Sequence, residues 1–184
     1  MTERCLLSLL VLFTATFSWG QSDSAYLLWS ASRKLTVDDF AIKARQLEST
    51  PSVAQFSVDY QLNGFDFLAK NFNKKVRNYF IKTASWIDTS AHVQQSLTYQ
   101  QTLFDISEIY TRQFRKALKE NRKQIAKGTA IAETLNKQIM AAFARRRLDY
   151  DRETNFGANA VKQKEWEQQV QKELAALADY AYDK

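Results

Sequence analysis

The feature that most constrains the fold is a long segment in the middle of the chain that contains neither glycine nor proline. This segment covers residues 89–121, and its apolar side chains recur every three or four residues at Tyr99, Leu103, Ile106, Tyr110, Phe114 and Leu118. Because an α-helix completes a turn every 3.6 residues, this spacing places the apolar side chains on one face. The segment therefore predicts a long amphipathic helix, with Thr89 or Ser90 as its N-cap.

The segments on either side of this helix predict the fold class. Residues 129–148 and 159–182 repeat the helical spacing, whereas residues 26–29, 35–40, 53–62, 65–68 and 76–87 are short apolar or alternating runs that favour strands. The alternation in 53–62 is irregular near Ala54, and Asn63-Gly64 is a favoured hairpin turn. Strands followed by helices indicate an α+β fold, which we expect to contain a small antiparallel sheet followed by three helices.

The N-terminal residues have the pattern of a secretory signal peptide. A short polar start precedes an apolar stretch from residue 5 to about residue 19, and Ser18 and Gly20 are the small residues that a signal peptidase requires. The stretch is shorter than the roughly 20 residues of a membrane-spanning helix. We expect cleavage between Gly20 and Gln21, leaving residues 21–184 as a single domain without a transmembrane segment. The protein would then be secreted or periplasmic.

Two residue types that often carry chemistry are almost absent. Cys5 is the only cysteine and lies within the signal peptide, so the mature chain would have no thiol and no disulfide. His92 is the only histidine, which excludes any site that needs two imidazoles and the usual zinc ligand sets. Neither a glycine-framed catalytic serine nor a phosphate-binding glycine loop is present.

The charge pattern bears on the choice of partner. The formal net charge is +6, with clusters at Lys74, Lys75 and Arg77 and at residues 145–147. Acidic residues are interleaved almost everywhere else, and an exported protein rarely meets nucleic acid. We therefore expect a solvated basic face and no nucleic-acid partner, with anionic lipid or polysaccharide as the alternative.

The carboxylates are the remaining candidates for chemistry. Asp105 and Glu108 lie off the apolar stripe of the long helix, and Glu108 can pair with Arg112 four residues later, which predicts a solvated, ion-paired face. Asp149 and Asp151 alternate with other residues near a helix end, together with Glu153. Their spacing does not match a dedicated calcium loop. A hydrolase that uses Asp105, Glu108, Asp149 or Asp151 in a cleft remains an alternative.

Three segments resemble a bacterial family of predicted secreted zinc-dependent proteases. The first is LWSASRKLTVDDF at residues 28–40. The second is SW at 85–86 leading to YQQTLFDI at 99–106 and EIY at 108–110. The third combines YD at 150–151 and ETNFG at 153–157 with QKEW at 163–166. The resemblance covers nearly the whole mature chain in the same order, and it implies a zincin-like metallopeptidase scaffold.

The resemblance also implies that the catalytic residues have been lost. In that family the second segment carries His-Glu-x-x-His before Phe-Asp-Ile, and the third carries Glu-Thr-x-His-Gly. The histidines bind zinc and the glutamate activates the bound water. The corresponding residues here are Tyr99, Gln100, Leu103 and Phe156.

These replacements predict a protein without a metal, a cofactor or catalytic residues. Tyr99, Leu103 and Phe156 are large and mostly apolar, and we expect them to converge and fill the space of the former site. Gln100 keeps the shape of glutamate but cannot accept a proton at neutral pH. We expect a degenerate relative of a metallopeptidase that acts as a binding or scaffolding module, with an unidentified protein or envelope component as its partner.

Overall fold

The computed structural model describes residues 25–45, 51–60, 66 and 69–184. The chain is α+β, as expected, but its strands form two three-stranded sheets. The first contains β1 (Tyr26–Leu28), β4 (Phe56–Tyr60) and β5 (Val76–Ile81) in the order β1-β5-β4, all antiparallel. The second contains β2 (Ile42–Ala44), β3 (Ser52–Val53) and β6 (Trp86–Asp88) in the order β2-β6-β3, and β2 runs parallel to β6. The expectation of one antiparallel sheet was therefore wrong.

The two sheets share one pair of neighbouring segments, 52–60 and 76–88, and differ in the third strand, which is β1 in the first sheet and β2 in the second. Residues 52–60 break between β3 and β4 at the fully buried Ala54, the irregular position of the sequence pattern. Residues 76–88 break at the 3₁₀ turn Lys82–Ala84, and the Ser85 hydroxyl donates to Ile81 O (2.7 Å) while it accepts from Gln55 N (3.1 Å). Both segments break at the same level, so each continues into the second sheet beside its former neighbour.

Residues 35–40 form a turn instead of the expected strand. A 3₁₀ helix spans Val37–Asp39, and the Asp39 carboxylate accepts hydrogen bonds from the backbone and the hydroxyl of Thr36 (2.9 and 3.1 Å). Arg33 donates to the other oxygen of Asp39 at 2.7 Å. Burial alone would raise the pKa of Asp39, but the hydrogen bonds from Arg33 and Thr36 outweigh it and lower the pKa. Thr36 and Asp39 form a capping box, a local signal that overrides the apolar character of the run.

Residues 89–184, all of which the structure describes, contain four α-helices, one more than expected. They are α1 (Val93–Glu120), α2 (Arg122–Ile125), α3 (Ala130–Thr154) and α4 (Ala160–Ala176), and a 3₁₀ turn over Ala178–Tyr180 follows α4. The short α2 was not expected, and α3 continues past its expected end at residue 148. α1 begins after His92, which occupies the cap position at φ 53°, so neither Thr89 nor Ser90 caps it. Thr89 instead donates its hydroxyl to Ala44 O at 3.3 Å.

α1 lies at the centre of the molecule and is covered on nearly every side. Phe104 packs on the sheets, with its ring centroid 5.3 Å from that of Phe56 and 6.0 Å from that of Phe80. In the apolar stripe, the rings of Tyr99 and Tyr110 contact α3. α3 and α4 cover other faces, and from Tyr99 to Ile109 every residue except Gln101 is buried. A second apolar cluster joins Phe114 and Leu118 to α2 and α3.

Because α1 is central, the expected solvated face of Asp105 and Glu108 does not exist. Both carboxylates are buried, Asp105 at 3% exposure and Glu108 at 1%. Glu108 does pair with Arg112, at 3.1 Å, and it also accepts from the fully buried Arg115 at 2.7 Å. The pairing was predicted correctly but its environment was not.

Residues 1–20, the cleavage position between Gly20 and Gln21 and the hairpin turn Asn63-Gly64 lie outside the described residues, as does most of 65–68. Among the residues that the structure does describe, no helix has the length and apolar character needed to span a bilayer.

Candidate functional site

Tyr99, the residue that the motif resemblance aligns with a zinc ligand, is a buried and fully engaged side chain. Tyr99 lies on the first part of α1 and donates its hydroxyl hydrogen to Asp151 of α3. Its ring stacks on Tyr150 at a centroid distance of 5.1 Å and an interplanar angle of 10°. Burial is the main cause that raises the pKa of Tyr99, and the hydrogen bond to Asp151 adds to it. The phenol is therefore held in its protonated form.

The turn between α3 and α4 packs directly against Tyr99. Asn155, Phe156 and Gly157 all have positive φ, and a Cβ atom on Gly157 would lie 2.8 Å from the Cβ of Tyr99. Gln95 donates to Gly157 O at 2.8 Å and ties the turn to α1. The close approach requires glycine at 157, because neither the backbone conformation nor the space accepts a side chain.

The structure brings Tyr99 and Phe156 together, although 57 positions separate them in the sequence. Their rings meet edge to face at a centroid distance of 6.5 Å. Leu103, one turn further along α1, is fully buried in the main core, whereas Phe156 is 49% exposed. Phe156 thus covers the edge of the tyrosine pair from the solvent side.

Gln100, which the motif resemblance aligns with a glutamate, is held against the second sheet. Its side-chain nitrogen donates to Ser52 Oγ of β3 at 2.9 Å, and its buried Oε1 has no hydrogen-bond donor among the described residues. A carboxamide is not a base near neutral pH, so Gln100 cannot take a proton from water.

The donor atoms at these positions do not fit a zinc ion. Leu103 and Phe156 have no donor atom, and the Tyr99 hydroxyl is held in a hydrogen bond to Asp151. His92 is exposed and lies before the first residue of α1, far along the helix from Leu103. Within the described part of the chain, no group of three or more histidine, cysteine, aspartate or glutamate side chains is arranged to hold a metal.

A chain of hydrogen bonds leads from the tyrosine pair to a cleft between α1 and α4. Tyr150 donates to Gln163 Oε1 at 2.7 Å, and the amide nitrogen of Gln163 donates to Thr102 Oγ1 at 3.0 Å and to Glu167 at 2.9 Å. Gln163 and Glu167 are four residues apart on α4, which is the only sequence signal that pointed to this network.

The cleft has a volume of about 280 Å³ and opens between the two helices. Its apolar wall is formed by Leu35, Leu97 and Val170, and its polar lining is formed by Lys34, Gln94, Thr98, Gln101, Thr102, Asp105, Glu167 and Gln171. Sequence analysis did not identify this cleft, because its residues come from three segments that are distant in the chain.

Asp105 is a buried carboxylate in the wall of this cleft. Its Oδ1 accepts from the Trp29 indole and from Gln101, both at 2.8 Å, and its Oδ2 accepts from Gln171 at 3.2 Å. The Lys34 ammonium lies 3.8 Å from Oδ2. Burial raises the pKa of Asp105, although Lys34 and the three donors oppose the shift.

The other candidate carboxylates have separate partners and do not form a pair with Asp105. Glu108 binds the two buried arginines, Asp149 pairs with Arg152 at 2.7 Å, and Asp151 accepts from Tyr99. The carboxylate that does share the cleft with Asp105 is Glu167, which was not among the sequence candidates.

The two basic clusters differ in their surroundings. Lys74, Lys75 and Arg77 are exposed on the turn before β5 and on β5 itself. In the other cluster, Arg146 stacks over Trp166 at 4.4 Å and pairs with Glu173 at 2.8 Å, so it belongs to the α3–α4 contact.

No protein family, characterised protein or solved structure shows significant similarity to this chain.

Proposed function

We propose that this protein is an exported, non-catalytic relative of a zinc metallopeptidase that acts as a binding module. The proposal joins the motif resemblance with the chemistry of Tyr99, Gln100, Leu103 and Phe156. Its partner would be a protein or another component of the cell envelope.

The observation that carries the proposal is the packing of Tyr99. Its ring is stacked on Tyr150, its hydroxyl is bound to Asp151, and the backbone of Gly157 presses on its Cβ. A stacked aromatic pair of this kind contributes about 0.5–1.5 kcal/mol beyond the area it buries. The position therefore supports the stability of the fold, where an enzyme of the resembled family would hold a metal ligand.

The test is the zinc content and peptidase activity of the purified protein. We expect no stoichiometric zinc by elemental analysis and no chelator-sensitive cleavage of a peptide library. Zinc at one ion per chain together with such cleavage would refute the proposal.

Restoring the residues of the family motif gives the matched control. We expect the variant Tyr99→His, Gln100→Glu, Leu103→His, Phe156→His to gain zinc, because the backbone already brings positions 99 and 156 together. The same variant with Gln100 retained should bind zinc but lack the general base, which contributes roughly 10²- to 10⁴-fold to the rate. A quadruple variant that folds but binds no zinc would separate this scaffold from the resembled family.

Export is tested separately. We expect the protein recovered from the periplasm or the medium to begin at Gln21, as read by mass spectrometry. An exported protein that retains residues 1–20 would contradict the proposed signal cleavage.

A second candidate function is a hydrolase that uses the carboxylates of the α1–α4 cleft. Asp105 and Glu167 share this cleft, and the pKa of Asp105 is raised mainly by burial. Against this function, all the groups that contact the Asp105 carboxylate are donors, so the carboxylate is built to accept hydrogen bonds and not to release a proton. Hydrolysis of an ester or glycoside substrate that disappears in Asp105→Asn and in Glu167→Gln would favour this second function.

A further inference from the structure

The cleft between α1 and α4 is one half of a longer groove. A second cavity of about 320 Å³ continues along α4 towards the end of the chain and is lined by Leu174, Ala178 and neighbouring residues. Lys34, Asp105 and Gln171 line both cavities. These three side chains therefore form a partition across a single groove.

The Asp105 carboxylate within this partition has one oxygen that is incompletely bonded. Oδ1 accepts two hydrogen bonds of 2.8 Å, from Trp29 and Gln101. Oδ2 has only the longer hydrogen bond from Gln171 and the ammonium of Lys34 at 3.8 Å. Since a carboxylate oxygen accepts two hydrogen bonds, Oδ2 can take one more strong donor from the groove.

Lys34 occupies the place where that donor would bind, but it is held loosely. Its side chain is 61% exposed, and its nitrogen is beyond hydrogen-bond distance of Oδ2. An ion pair with an exposed partner of this kind contributes only about 0–1 kcal/mol, so the lysine can swing into solvent easily. Its departure would expose Oδ2 to both cavities.

The charge of the cleft selects the kind of ligand that would replace the Lys34 ammonium. Apart from Lys34, the charged side chains that line the first cavity are the carboxylates of Asp105 and Glu167, whereas the second cavity carries both signs, with Arg112 and Lys184 beside Asp183. The preference for a cation therefore belongs to the first cavity. Its pair of negative charges contrasts with the formal net charge of +6 for the whole chain. Beside them, Leu35, Leu97 and Val170 offer an apolar wall.

We propose that this groove binds an aliphatic chain ending in an ammonium group, with the ammonium replacing that of Lys34 beside Oδ2 of Asp105. The alkyl part packs on Leu35, Leu97 and Val170, and Glu167 contributes a second negative charge. The ligand is either a small free amine or the lysine side chain of a peptide. This ligand class rests on the binding role proposed above. The two are tested separately: titration with amines tests the ligand, and zinc analysis tests the loss of the metal site.

The experiment is an NMR titration of the ¹⁵N-labelled protein that follows the indole N–H of Trp29, assigned by its loss in Trp29→Phe. This group donates to Oδ1 of Asp105, so its chemical shift reports on the carboxylate. The probes are butylammonium, butyrate and butanamide, which have similar length but differ in charge. We expect butylammonium to bind at least tenfold more tightly than the other two, because a hydrogen bond to a charged group is stronger than a neutral one.

Variants of the partition distinguish the proposal from the opposite assignment, in which Lys34 binds an anion. We expect Lys34→Met to raise the affinity for butylammonium by up to about fivefold, because the ion pair that it removes contributes no more than about 1 kcal/mol. Asp105→Asn should lower the affinity at least tenfold, because it removes a charged hydrogen-bond acceptor. Lys43→Met is the matched control, because Lys43 pairs with Asp38 at 3.2 Å on the surface outside the groove. Should Asp105→Asn fail to fold, Glu167→Gln carries the same expectation of weaker binding.

A comparison with Nα-acetyl-lysine methylamide identifies the source of the ammonium group. Tighter binding of this probe than of butylammonium indicates a peptide lysine, and weaker binding indicates a small amine. The proposal is overturned if butyrate binds best, if Lys34→Met weakens the binding of butylammonium, or if none of the probes shifts the Trp29 signal at the tens of millimolar concentrations that fragments require.

Discussion

Neutralising Glu108 should destabilise this protein more than any change at a surface charge. The Glu108 side chain is 1% exposed, and its Oε1 accepts from Arg115 at 2.7 Å and from Arg112 at 3.1 Å. Arg115 also donates to Val76 O on β5 (2.8 and 3.0 Å) and to Tyr180 O after α4 (2.9 Å). Glu108→Gln would leave both guanidinium groups buried with backbone carbonyls as their main partners and without a compensating negative charge.

The expected loss is about 3–5 kcal/mol, the usual result of breaking a buried ion pair by removing one partner. This is a large part of the roughly 5–15 kcal/mol that stabilises a typical domain. With a shift of about 2–4 °C per kcal/mol for a chain of this size, the melting temperature should fall by about 6–20 °C. Because salt screens a buried ion pair poorly, added salt should change the difference in stability between the wild type and Glu108→Gln little.

Urea unfolding monitored by circular dichroism measures the loss of stability, provided that the variant and the wild type have equal m-values. Glu165→Gln is the control, since Glu165 pairs with Lys162 at 2.7 Å but both side chains are about half exposed; its effect should stay within about 0.5 kcal/mol. In the double variant Glu108→Gln, Arg112→Gln, removal of one unpaired cation should recover part of the stability. A loss below about 1 kcal/mol for Glu108→Gln would refute the reasoning that this cluster needs its carboxylate.

Three further changes test other parts of the structure. Gly157→Ala should lower the free energy of unfolding by about 1–3 kcal/mol, because the new Cβ would lie 2.8 Å from the Cβ of Tyr99 and φ is +86°. Urea unfolding measures this loss, and an unchanged stability would contradict the packing of the turn on Tyr99. The pKa of Asp105 is raised mainly by burial, so its carboxyl group stabilises the fold most below the unfolded value of 3.8. The stability of the wild type relative to Asp105→Asn should therefore fall as the pH rises through the raised pKa. The pKa of Asp39 is lowered, because the hydrogen bonds from Arg33 and Thr36 outweigh the effect of burial. The stability of the wild type relative to Asp39→Asn should therefore fall as the pH drops below 3.8 towards the lowered pKa. If the stability of the wild type relative to Asp105→Asn and its stability relative to Asp39→Asn changed with pH in the same direction, the environments assigned to these two carboxylates would be wrong.

The agreement between sequence and structure is best where the signal is local. The three- and four-residue spacing from Tyr99 to Leu118 predicted a long helix, and α1 spans Val93–Glu120. The irregularity at Ala54 marked the position where β3 ends and β4 follows. The capping box of Thr36 and Asp39 is also a local feature, and it produces a 3₁₀ turn where the apolar character of residues 35–40 predicted a strand.

The candidate sites agree less well, because they depend on which faces of α1 are covered. Asp105 and Glu108 lie off the apolar stripe, and in an isolated amphipathic helix that position faces water. Here α4 and the strands cover those faces. Asp105 is buried with donors from the distant Trp29 and Gln171. Glu108 is buried against Arg115 of its own helix, whose guanidinium also donates to the Val76 carbonyl on β5.

The sequence by itself determined the helical periodicity, the α+β class and the scarcity of histidine and cysteine, because each of these is a property of residue type and short-range spacing. Only the tertiary structure decided that the strands divide between two sheets, that the backbone of Gly157 presses on Tyr99, and that Lys34, Asp105 and Gln171 meet across one groove. These features arise from contacts between segments that are far apart in the chain. The free energy of such contacts depends on which surfaces the packing buries together, and this cannot be read from the periodicity of any one segment.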